Sequence, residues 1–527
     1  MGNPFRIRED PNNPVSHEAY GWRIYAVSAA AAWASAMFGY DSAFIGGTLS
    51  LASFKASFGL NANTVTQLSS NIVGTFQAGC FFGSLFAFPI SEKLGRRINL
   101  ITCGLVFMIG AAIQTASAGS LGMMYGGRAL TGLGVGGSAM VVPIYIAESA
   151  PAPIRGRCIG VFEVALQLAS LIGFWINYGI NANLPSTPAQ WQIPFAVQLI
   201  PAGLLVLSML WAIETPRWLV KKGKYEKALK NLAWVRNLPE NHPYVQKELA
   251  EMRLQVETES STGRGERSWK SQWSELWSKG IRGRVILAVA MKFMQNFAGV
   301  NALNYYSPSI FKSIGFTGTS TGLLATGVYG IIKTIFTLVF IMWLVDAWGR
   351  RPALLTGGSI SFFCMFYLGS YSYVSHSFDG LASKDAGAYV AIIAIYIYAA
   401  SYSFSWNAMP WIFAAEIFPT NIRGLAMLVT VSAQWISQFI VIYAVPYMID
   451  SIKYGVFYFF GSCIFISTII VYCFIPETKG FPLESIELIF NGSIWAPAAR
   501  RNAERLLEEQ QANERLDDLN KPVFTRD

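Results

Sequence analysis

Long apolar runs alternate with short polar segments along most of the chain. Each run is long enough to cross the roughly 30 Å hydrocarbon core of a bilayer as an α-helix. The pattern therefore predicts an all-α membrane protein with twelve transmembrane helices. The predicted spans are residues 24–47, 68–90, 100–118, 121–146, 158–180, 193–213, 285–310, 323–345, 353–374, 388–414, 425–448 and 456–475.

One long polar insertion separates the spans into two sets of six. It is rich in Lys, Glu, Arg and Trp, and stretches such as 224–235 suit an amphipathic helix. We therefore predict two pseudo-symmetric six-helix bundles joined by a cytoplasmic linker of helices. The predicted domains are a cytoplasmic N-terminal tail at 1–22, a first bundle at 23–213, the linker at 214–284, a second bundle at 285–475 and a cytoplasmic C-terminal tail at 476–527.

Composition and charge agree with this membrane class. Of the 527 residues 53% are hydrophobic and 13% are charged, whereas a soluble domain carries roughly 25% charged residues. Basic residues concentrate in the short loops of one face, which marks that face as cytoplasmic and predicts that both termini are cytoplasmic. The net charge of +9 is thus a topology signal, and nucleic acid is not an expected partner. The six cysteines lack the spacing of a metal site, so we expect neither a metal nor another cofactor.

Three short motifs of the first half recur in the second half, in the same order and on the same face. A parallel repeat of two six-helix bundles is typical of alternating-access carriers, whose substrate site lies between the halves near the bilayer midplane. The sequence has no nucleotide-binding lysine loop and no nucleophile motif, so neither an ATP-driven pump nor an enzyme is expected. The repeated motifs are 92–97 with 346–351, 148–156 with 416–424, and 214–215 with 477–478.

A glycine-rich stretch in span four, Gly132 to Gly137, has the spacing of a dinucleotide-binding fingerprint. It lies inside an apolar run instead of following a strand. We therefore interpret Gly132 and Gly136 as small residues at a close contact between two helices.

Acidic and basic residues cluster in the repeated loops. An acid followed by Gly-Arg-Arg in a tight turn can pair with carboxylates of neighbouring helices when the cytoplasmic side is closed. We predict a cytoplasmic gate of such pairs; the alternative is that the basic residues only fix topology and the acids cap helices. The predicted gate residues are Glu92, Arg96, Arg97, Glu148, Arg155, Asp346, Arg350, Arg351, Glu416 and Arg423.

Ionisable residues inside membrane spans are costly and are therefore functional candidates. Asp41 in span one and Arg128 in span four each lie roughly 10 Å below the extracellular end of their helix, so the two side chains can meet. A carboxylate in a poorly solvated cavity takes up or releases a proton as a guanidinium moves away or closer. We predict that this pair couples a proton to a conformational change; the alternative is a static structural ion pair.

Three further ionisable residues lie within predicted spans. Glu163 and Lys292 lie at comparable depth and can pair across the two halves, or Lys292 can extend to the inner interface. Lys333 lies about 15 Å deep, without an acidic neighbour at that level. Either Lys333 is neutral or hydrogen-bonded to hydroxyl and carbonyl groups, or it meets an anion.

Amides and indoles interrupt the apolar sequence of four spans. Amides offer donors and acceptors together, which suits vicinal hydroxyl groups, and indole rings cover the apolar face of a sugar. They predict a polyhydroxylated ligand, and hydrogen bonding between helices is the alternative for any single amide. The predicted substrate-binding residues are Glu163, Gln167, Gln295, Asn296, Asn301, Asn304, Lys333, Trp406, Trp411, Gln434 and Trp435.

Several short motifs are jointly specific to one transporter family. They are Gly39-Tyr40-Asp41, Gly127-Arg128, Pro143 to Gly156, Glu214 to Leu219, Gln295 to Asn301, Glu416 to Pro419 and Pro476 to Gly480. Through them, residues 22–490 resemble the sugar porter family of the major facilitator superfamily, and within it the fungal hexose, pentose and quinate permeases. The resemblance implies the major facilitator fold and a multi-pass location, which we expect to be the plasma membrane.

The resemblance also implies roles for individual residues. It makes Asp41 the proton-coupling carboxylate and Arg128 its partner. The sequence departs from the family pattern at Glu163 and Asn296, where related carriers have glutamine, and at Trp406-Asn407-Ala408, where Trp-Gly-Pro is usual. These departures concern the identity of the substrate more than the mode of transport. The sugar contacts implied by the resemblance are Gln295, Asn296, Asn301, Trp411, Gln434 and Trp435.

The predicted function is proton-coupled symport of a monosaccharide, a hexose or a pentose, by alternating access. A second hypothesis is uptake of a hydroxylated acid such as quinate or galacturonate, whose carboxylate would meet Lys333 or Lys292. A third is a non-transporting sugar sensor on the same scaffold. We expect a monomer whose partners are the sugar or sugar acid, protons and the lipid bilayer.

Overall fold

The computed structural model describes residues 21–61, 63–151, 154–261, 269–313, 318–341, 348–379, 385–418 and 422–478, with a few isolated positions between 490 and 506. Within this part of the chain every regular element is a helix. The predicted all-α class is therefore confirmed.

Twelve helical segments build the body of the molecule, and we number them span one to span twelve. Eleven are long and apolar enough to cross a membrane, and the remaining one, span one, has 29 residues. Spans one to six are Trp22–Ser50, Val65–Leu94, Arg96–Thr115, Leu121–Ser149, Arg155–Asn183 and Ala189–Trp211. Spans seven to twelve are Arg282–Lys312, Thr319–Val339, Arg350–Val374, Ala386–Ser403 continued by Met409–Glu416, Arg423–Ile452 and Gly455–Phe474.

The spans form two bundles of six. In the first, span four packs against spans two and three, and span one packs against span five. In the second, span nine packs against spans ten and twelve, and span seven packs against span eleven. The halves meet where span five contacts span eight and where span eleven contacts span two. Exchanging the halves interchanges these two contacts, which is the pseudo-twofold relation that the repeated motifs predict.

The linker between the halves has its own apolar core, in which Trp218, Leu232 and Leu249 are buried. The guanidinium of Arg236 donates a 2.7 Å hydrogen bond to the carbonyl of Ser149 at the end of span four, which fastens the linker to the first half. We call this end of the molecule the linker end. The linker helices are Pro216–Lys221, Tyr225–Arg236, Pro243–Ser261 and Trp269–Leu276, and one further short helix, Ala52–Phe58, follows span one.

Spans two and four approach each other closely through glycines. A methyl group added at Gly132 would overlap the carbonyl oxygen of Phe76, and one added at Gly136 would overlap that of Cys80. This geometry agrees with the interpretation of the stretch as a close helix contact. Since Gly132 lies one helical turn from Arg128, the contact also positions that side chain.

Gly136→Ala is expected to destabilise the protein because the added methyl group has no space against span two. Overpacking of a well-packed interior costs about 1–3 kcal/mol, which we expect to appear as a lower Tm of the purified protein in detergent. Gly126→Ala in the same span is the matched control, because nothing lies within 4 Å of a methyl group there. Equal Tm values for the two variants would contradict the close contact.

Two spans are interrupted where the apolar pattern predicts continuous helices at 285–310 and 388–414. Span seven breaks at Gly299, whose φ of +91° is not helical. Span ten breaks at residues 404–408, between its two helical segments. The sequence pattern missed both breaks because mostly apolar residues continue through them. Backbone groups freed at such breaks need polar partners inside the bilayer, so polar side chains are expected nearby.

Candidate functional site

Asp41 and Arg128 form a buried ion pair in the first half. Nη1 of Arg128 lies 2.6 Å from Oδ1 of Asp41, and neither side chain is exposed to solvent. Nε of Arg128 donates to the carbonyl of Ile72 at 3.2 Å, and the guanidinium lies 4.5 Å from the centre of the Phe76 ring. The arginine is therefore held by three different contacts, in a place where water does not screen its charge.

Each member of this pair keeps one polar atom free. Oδ2 of Asp41 and Nη2 of Arg128 are buried without a hydrogen-bond partner among the described residues. Asp41 interacts electrostatically with the hydroxyl of Tyr305. That hydroxyl accepts a 2.9 Å hydrogen bond from the side-chain amide of Gln77. This bond joins span two to span seven, so the pair lies beside a contact between the two halves.

Gln295 occupies the break in span ten. Its side-chain amide nitrogen donates to the carbonyls of Trp406 and Asn407, both at 2.9 Å, and so replaces the helical hydrogen bonds lost there. Its side-chain oxygen accepts a 3.3 Å hydrogen bond from Nζ of Lys292. Lys292 is fully buried, and its ammonium lies 3.1 Å from the centre of the Trp411 ring, a cation–π arrangement.

Asn296 connects span seven with span eleven. Its side-chain nitrogen donates to the Ser437 hydroxyl at 2.8 Å, and its oxygen accepts from Asn301 at 2.6 Å and from Gln434 at 3.3 Å. For these amides the structure thus shows hydrogen bonding between helices, which was the alternative to ligand contact. Four of the predicted substrate residues keep a buried polar atom without a partner among the described residues: Gln167 Oε1, Trp406 Nε1, Gln434 Oε1 and Trp435 Nε1.

Glu163 joins the two halves. Oε1 of Glu163 accepts from Gln167 of the same helix and from Asn407 in the break of span ten, both at 2.7 Å. The predicted ion pair between Glu163 and Lys292 is not among the ion pairs of the described residues. The structure places Asn407 on the carboxylate instead, and the charge of Glu163 acts on Lys292 and Lys333 at longer range.

Lys333 lies on span eight and is 5% exposed. Its ammonium donates to Oδ1 of Asn304 at 3.4 Å, and the same oxygen accepts from the hydroxyl of Tyr329 at 3.1 Å. Within the described part of the chain, neither Lys333 nor Lys292 has a carboxylate at ion-pair distance. Two ammonium groups are therefore buried with hydrogen-bond partners and an indole ring, but without a carboxylate of the described residues in contact.

The predicted gate residues of the first half form one network at the linker end. Nη2 of Arg96 lies 2.8 Å from Glu92 and 3.1 Å from Glu148. Glu148 also accepts a 2.6 Å hydrogen bond from the hydroxyl of Thr215, where the linker begins. Arg97 donates to two carbonyls at the end of span six. The side-chain contacts of these residues that the structure describes stay within the first half and its linker.

The predicted gate residues of the second half are described only in part. Arg351 donates to the carbonyl of Tyr472 at 2.6 Å, at the end of span twelve. Asp346 lies outside the described residues, and so do the side chains of Glu416 and Arg423 and, in the first half, that of Arg155. A gate that joins the two halves stays a prediction.

Two glutamates that the predicted site residues do not include cap the Gly-Arg-Arg loops. The carboxylate of Glu214 accepts the first backbone N–H groups of span three, and that of Glu477 accepts those of span nine, at 2.9 to 3.3 Å. Burial raises the pKa of the Glu214 carboxyl above its ordinary value, although these N–H groups lower it. Gly95 and Gly349 precede the capped helices with φ of +102° and +90°, and a side chain there would meet the carboxylate. The repeated Glu-Thr pair was the sequence signal for these caps.

A transporter built from two halves with a pseudo-twofold relation opens the site between them alternately to the two sides of the membrane. This is the class of protein that the fold and the site define: a secondary carrier with the major facilitator fold. Residues 27–490 match the sequence model of the family described as "Sugar (and other) transporter". The chain belongs to this family.

Relatives with curated descriptions include quinate permeases. The chain is 43% identical over 495 residues to a quinate permease of Neurospora terricola, covering 92% of this chain and 91% of that protein. It is 42% identical over 492 residues to a probable quinate permease of Aspergillus flavus, with the same coverage.

Similar solved structures include those of the xylose transporter XylE from E. coli. A structure of this proton:xylose symporter bound to 6-bromo-6-deoxy-D-glucose is 27% identical, with a TM-score of 0.73 over 89% of this chain and 99% of that one. A partially occluded inward-open structure is 26% identical, with a TM-score of 0.72 over 88% and 100%. The predictions of a twelve-helix transporter and of a protein that is not an enzyme are confirmed.

Proposed function

We propose that this chain is a proton-coupled symporter of a hydroxylated carboxylic acid of the quinate class. The observation that carries the proposal is the burial of Lys292 and Lys333 without an ion-paired carboxylate among the described residues. An ammonium group buried without a carboxylate in contact costs several kcal/mol. A substrate carboxylate in the cavity would remove much of that cost, so the site favours an anion over a neutral molecule. The quinate permeases among the relatives support the same substrate class.

The uncharged part of such a substrate fits the other side chains. The buried Trp406 and Trp435 and the partly exposed Trp411 offer ring faces to an apolar ring surface. The indole N–H groups of Trp406 and Trp435 have no acceptor among the described residues and can donate to a ligand. Gln167 and Gln434 each have an amide oxygen that has no partner among the described residues and can accept from a hydroxyl group. This combination suits a ring that carries several hydroxyl groups.

Proton coupling is assigned to Asp41 and Arg128. A proton bound at the free Oδ2 of Asp41 would neutralise the carboxylate and weaken its hold on Arg128, whose remaining contacts are to Ile72 and Phe76. Since the pair lies beside the bond of Gln77 to Tyr305, its rearrangement can reach the interface of the halves. The description of one structural neighbour as a proton:xylose symporter supports this assignment.

The ion-pair network at the linker end is assigned the role of a cytoplasmic gate. We infer that the network of Arg96, Glu92, Glu148 and Thr215 stabilises one state of the linker end, and that it rearranges when the halves move. The linker and both termini are assigned to the cytoplasm, the protein to the plasma membrane and the functional unit to the monomer. The basic loops support the orientation, because they lie on the linker side.

A neutral monosaccharide is the second candidate substrate. The observation that favours it is the set of amides and indoles, which requires hydroxyl groups but no charge, together with the xylose symporters among the structural neighbours. In this case the two lysines would serve only as hydrogen-bond donors within the second half.

Uptake by a transporter-deficient host separates the two candidates. We expect uptake of radiolabelled quinate from a panel that also contains xylose, glucose and galacturonate, and we expect a protonophore to abolish accumulation. Uptake of the neutral sugars alone would overturn the assignment of an acid substrate. Specific binding of a panel member to purified protein, without uptake in vesicles, would show a sensor instead.

A further inference from the structure

Glu163 is the acid whose charge acts on both buried lysines. It lies on span five of the first half, whereas Lys292 and Lys333 lie on spans seven and eight of the second half. The Glu163 side chain is half-buried, while the two lysines are buried. The carboxylate therefore lies on the opposite half of the molecule from the two lysines.

A series of hydrogen bonds connects Glu163 to Lys292. Oε1 of Glu163 accepts from the amide nitrogen of Asn407 at 2.7 Å. The carbonyl of Asn407 accepts from Gln295, and the side-chain oxygen of Gln295 accepts from the ammonium of Lys292. The carboxylate on the first half and Lys292 on the second are thus joined through the break in span ten, where the carbonyls of Trp406 and Asn407 accept from Gln295.

The charges of the three residues do not balance. When both lysines are protonated, two ammonium groups and one carboxylate sum to one net positive charge. A monocarboxylate substrate brings one negative charge, and Asn304, which accepts from Lys333, is partly exposed. Like charges at close range repel, so the substrate carboxylate and the Glu163 carboxylate compete for the same two cations.

We propose that Glu163 is the resident counter-ion of Lys292 and Lys333, that the substrate carboxylate displaces it, and that this displacement releases the hydrogen bond from Asn407 across the halves. The inference rests on the proposed acid substrate. Glu163 is then a specificity-determining residue, because a neutral ligand cannot displace it. It is also a positioning residue, because its bond to Asn407 ties span five to span ten only while the site is empty.

The variant Glu163→Gln, reconstituted into proteoliposomes, tests whether the substrate carboxylate displaces Glu163. Glutamine keeps an oxygen that accepts from Asn407 but removes the competing charge. We expect the KM for radiolabelled quinate to fall by about tenfold, because a unit charge near the site contributes on that scale. Inhibition by quinate methyl ester, which has the same ring without the charge, is expected to stay unchanged. A KM for quinate that is unchanged or higher would overturn the proposal.

Asn407→Ala is the matched variant, since it removes the bond across the halves and leaves every charge in place. We expect its KM for quinate to stay near that of the unmodified protein while its maximal rate changes. A general loss of structure would raise KM or abolish transport in both variants. A lower KM in Glu163→Gln, together with an unchanged KM in Asn407→Ala, therefore distinguishes competition from misfolding. If the unmodified protein transports no quinate, the proposed function fails; if it does and Glu163→Gln leaves KM unchanged, only the counter-ion proposal fails.

Discussion

Asp41→Asn is expected to abolish accumulation of substrate against its gradient while leaving exchange of substrate across the membrane. The asparagine has nearly the same shape as the aspartate but cannot bind and release a proton. Because the coupling free energy between proton and substrate is lost, the accumulation ratio falls to about one. Exchange persists because asparagine is uncharged, like the protonated aspartate, so the two halves can move without a proton.

The measurement compares two modes of transport in proteoliposomes. An imposed pH gradient drives accumulation, whereas counterflow of preloaded substrate reports exchange alone. Asp385→Asn is the control, because this exposed acid lies at the start of span ten, where it accepts the backbone N–H of Ala388 at 2.8 Å and the hydroxyl of Tyr371 at 2.9 Å. Accumulation by Asp41→Asn at the level of this control would show that the proton is carried elsewhere.

Loss of folding has to be separated from loss of coupling. Removing one member of a buried ion pair costs about 3–5 kcal/mol, because the partner is left as an uncompensated charge. In Asp41→Asn that partner is Arg128, which keeps its contacts to Ile72 and Phe76. The double variant Asp41→Asn with Arg128→Gln removes both charges, and we expect it to regain stability without regaining accumulation.

The sequence was most informative where one strong physical rule acts on a long segment. Each span must be apolar over about 20 residues to cross hydrocarbon, so the apolar runs placed the twelve helices to within a few residues. Charges within spans are rare, and depth counting placed Asp41 beside Arg128, which the structure joins at 2.6 Å. Both inferences depend only on position along a helix.

The sequence was least informative where partners are distant in the chain. Nothing in the local pattern shows that Gln295 fills the break of span ten, or that Asn407 takes the place beside Glu163 that Lys292 was predicted to fill. Several polar side chains lie at the same depth as Glu163. The packing of span five against the second half determines which of them contacts it. The caps formed by Glu214 and Glu477 were visible as a repeat but not as an interaction, since each helix start lies more than a hundred residues from its glutamate.

Lys333→Met is expected to impair quinate uptake selectively. Methionine is unbranched and of similar length, so it occupies the same space but removes the positive charge. Hydrogen bonds to charged groups contribute about 1.5–3 kcal/mol, which corresponds to a loss of about 10- to 150-fold in kcat/KM. Inhibition by quinate methyl ester is expected to stay unchanged, because the ester has no charge for the lysine to bind.

The control for this variant is Lys222→Met, which removes an exposed lysine of the linker near the Trp218 ring. Transport by this control is expected to match that of the unmodified protein. If Lys333→Met weakens the acid and the ester equally, the lysine supports Asn304 and Tyr329 instead of binding a carboxylate. If it weakens neither, Lys292 above the Trp411 ring is left as the cation that meets the substrate, and Lys292→Met must then show the selective loss.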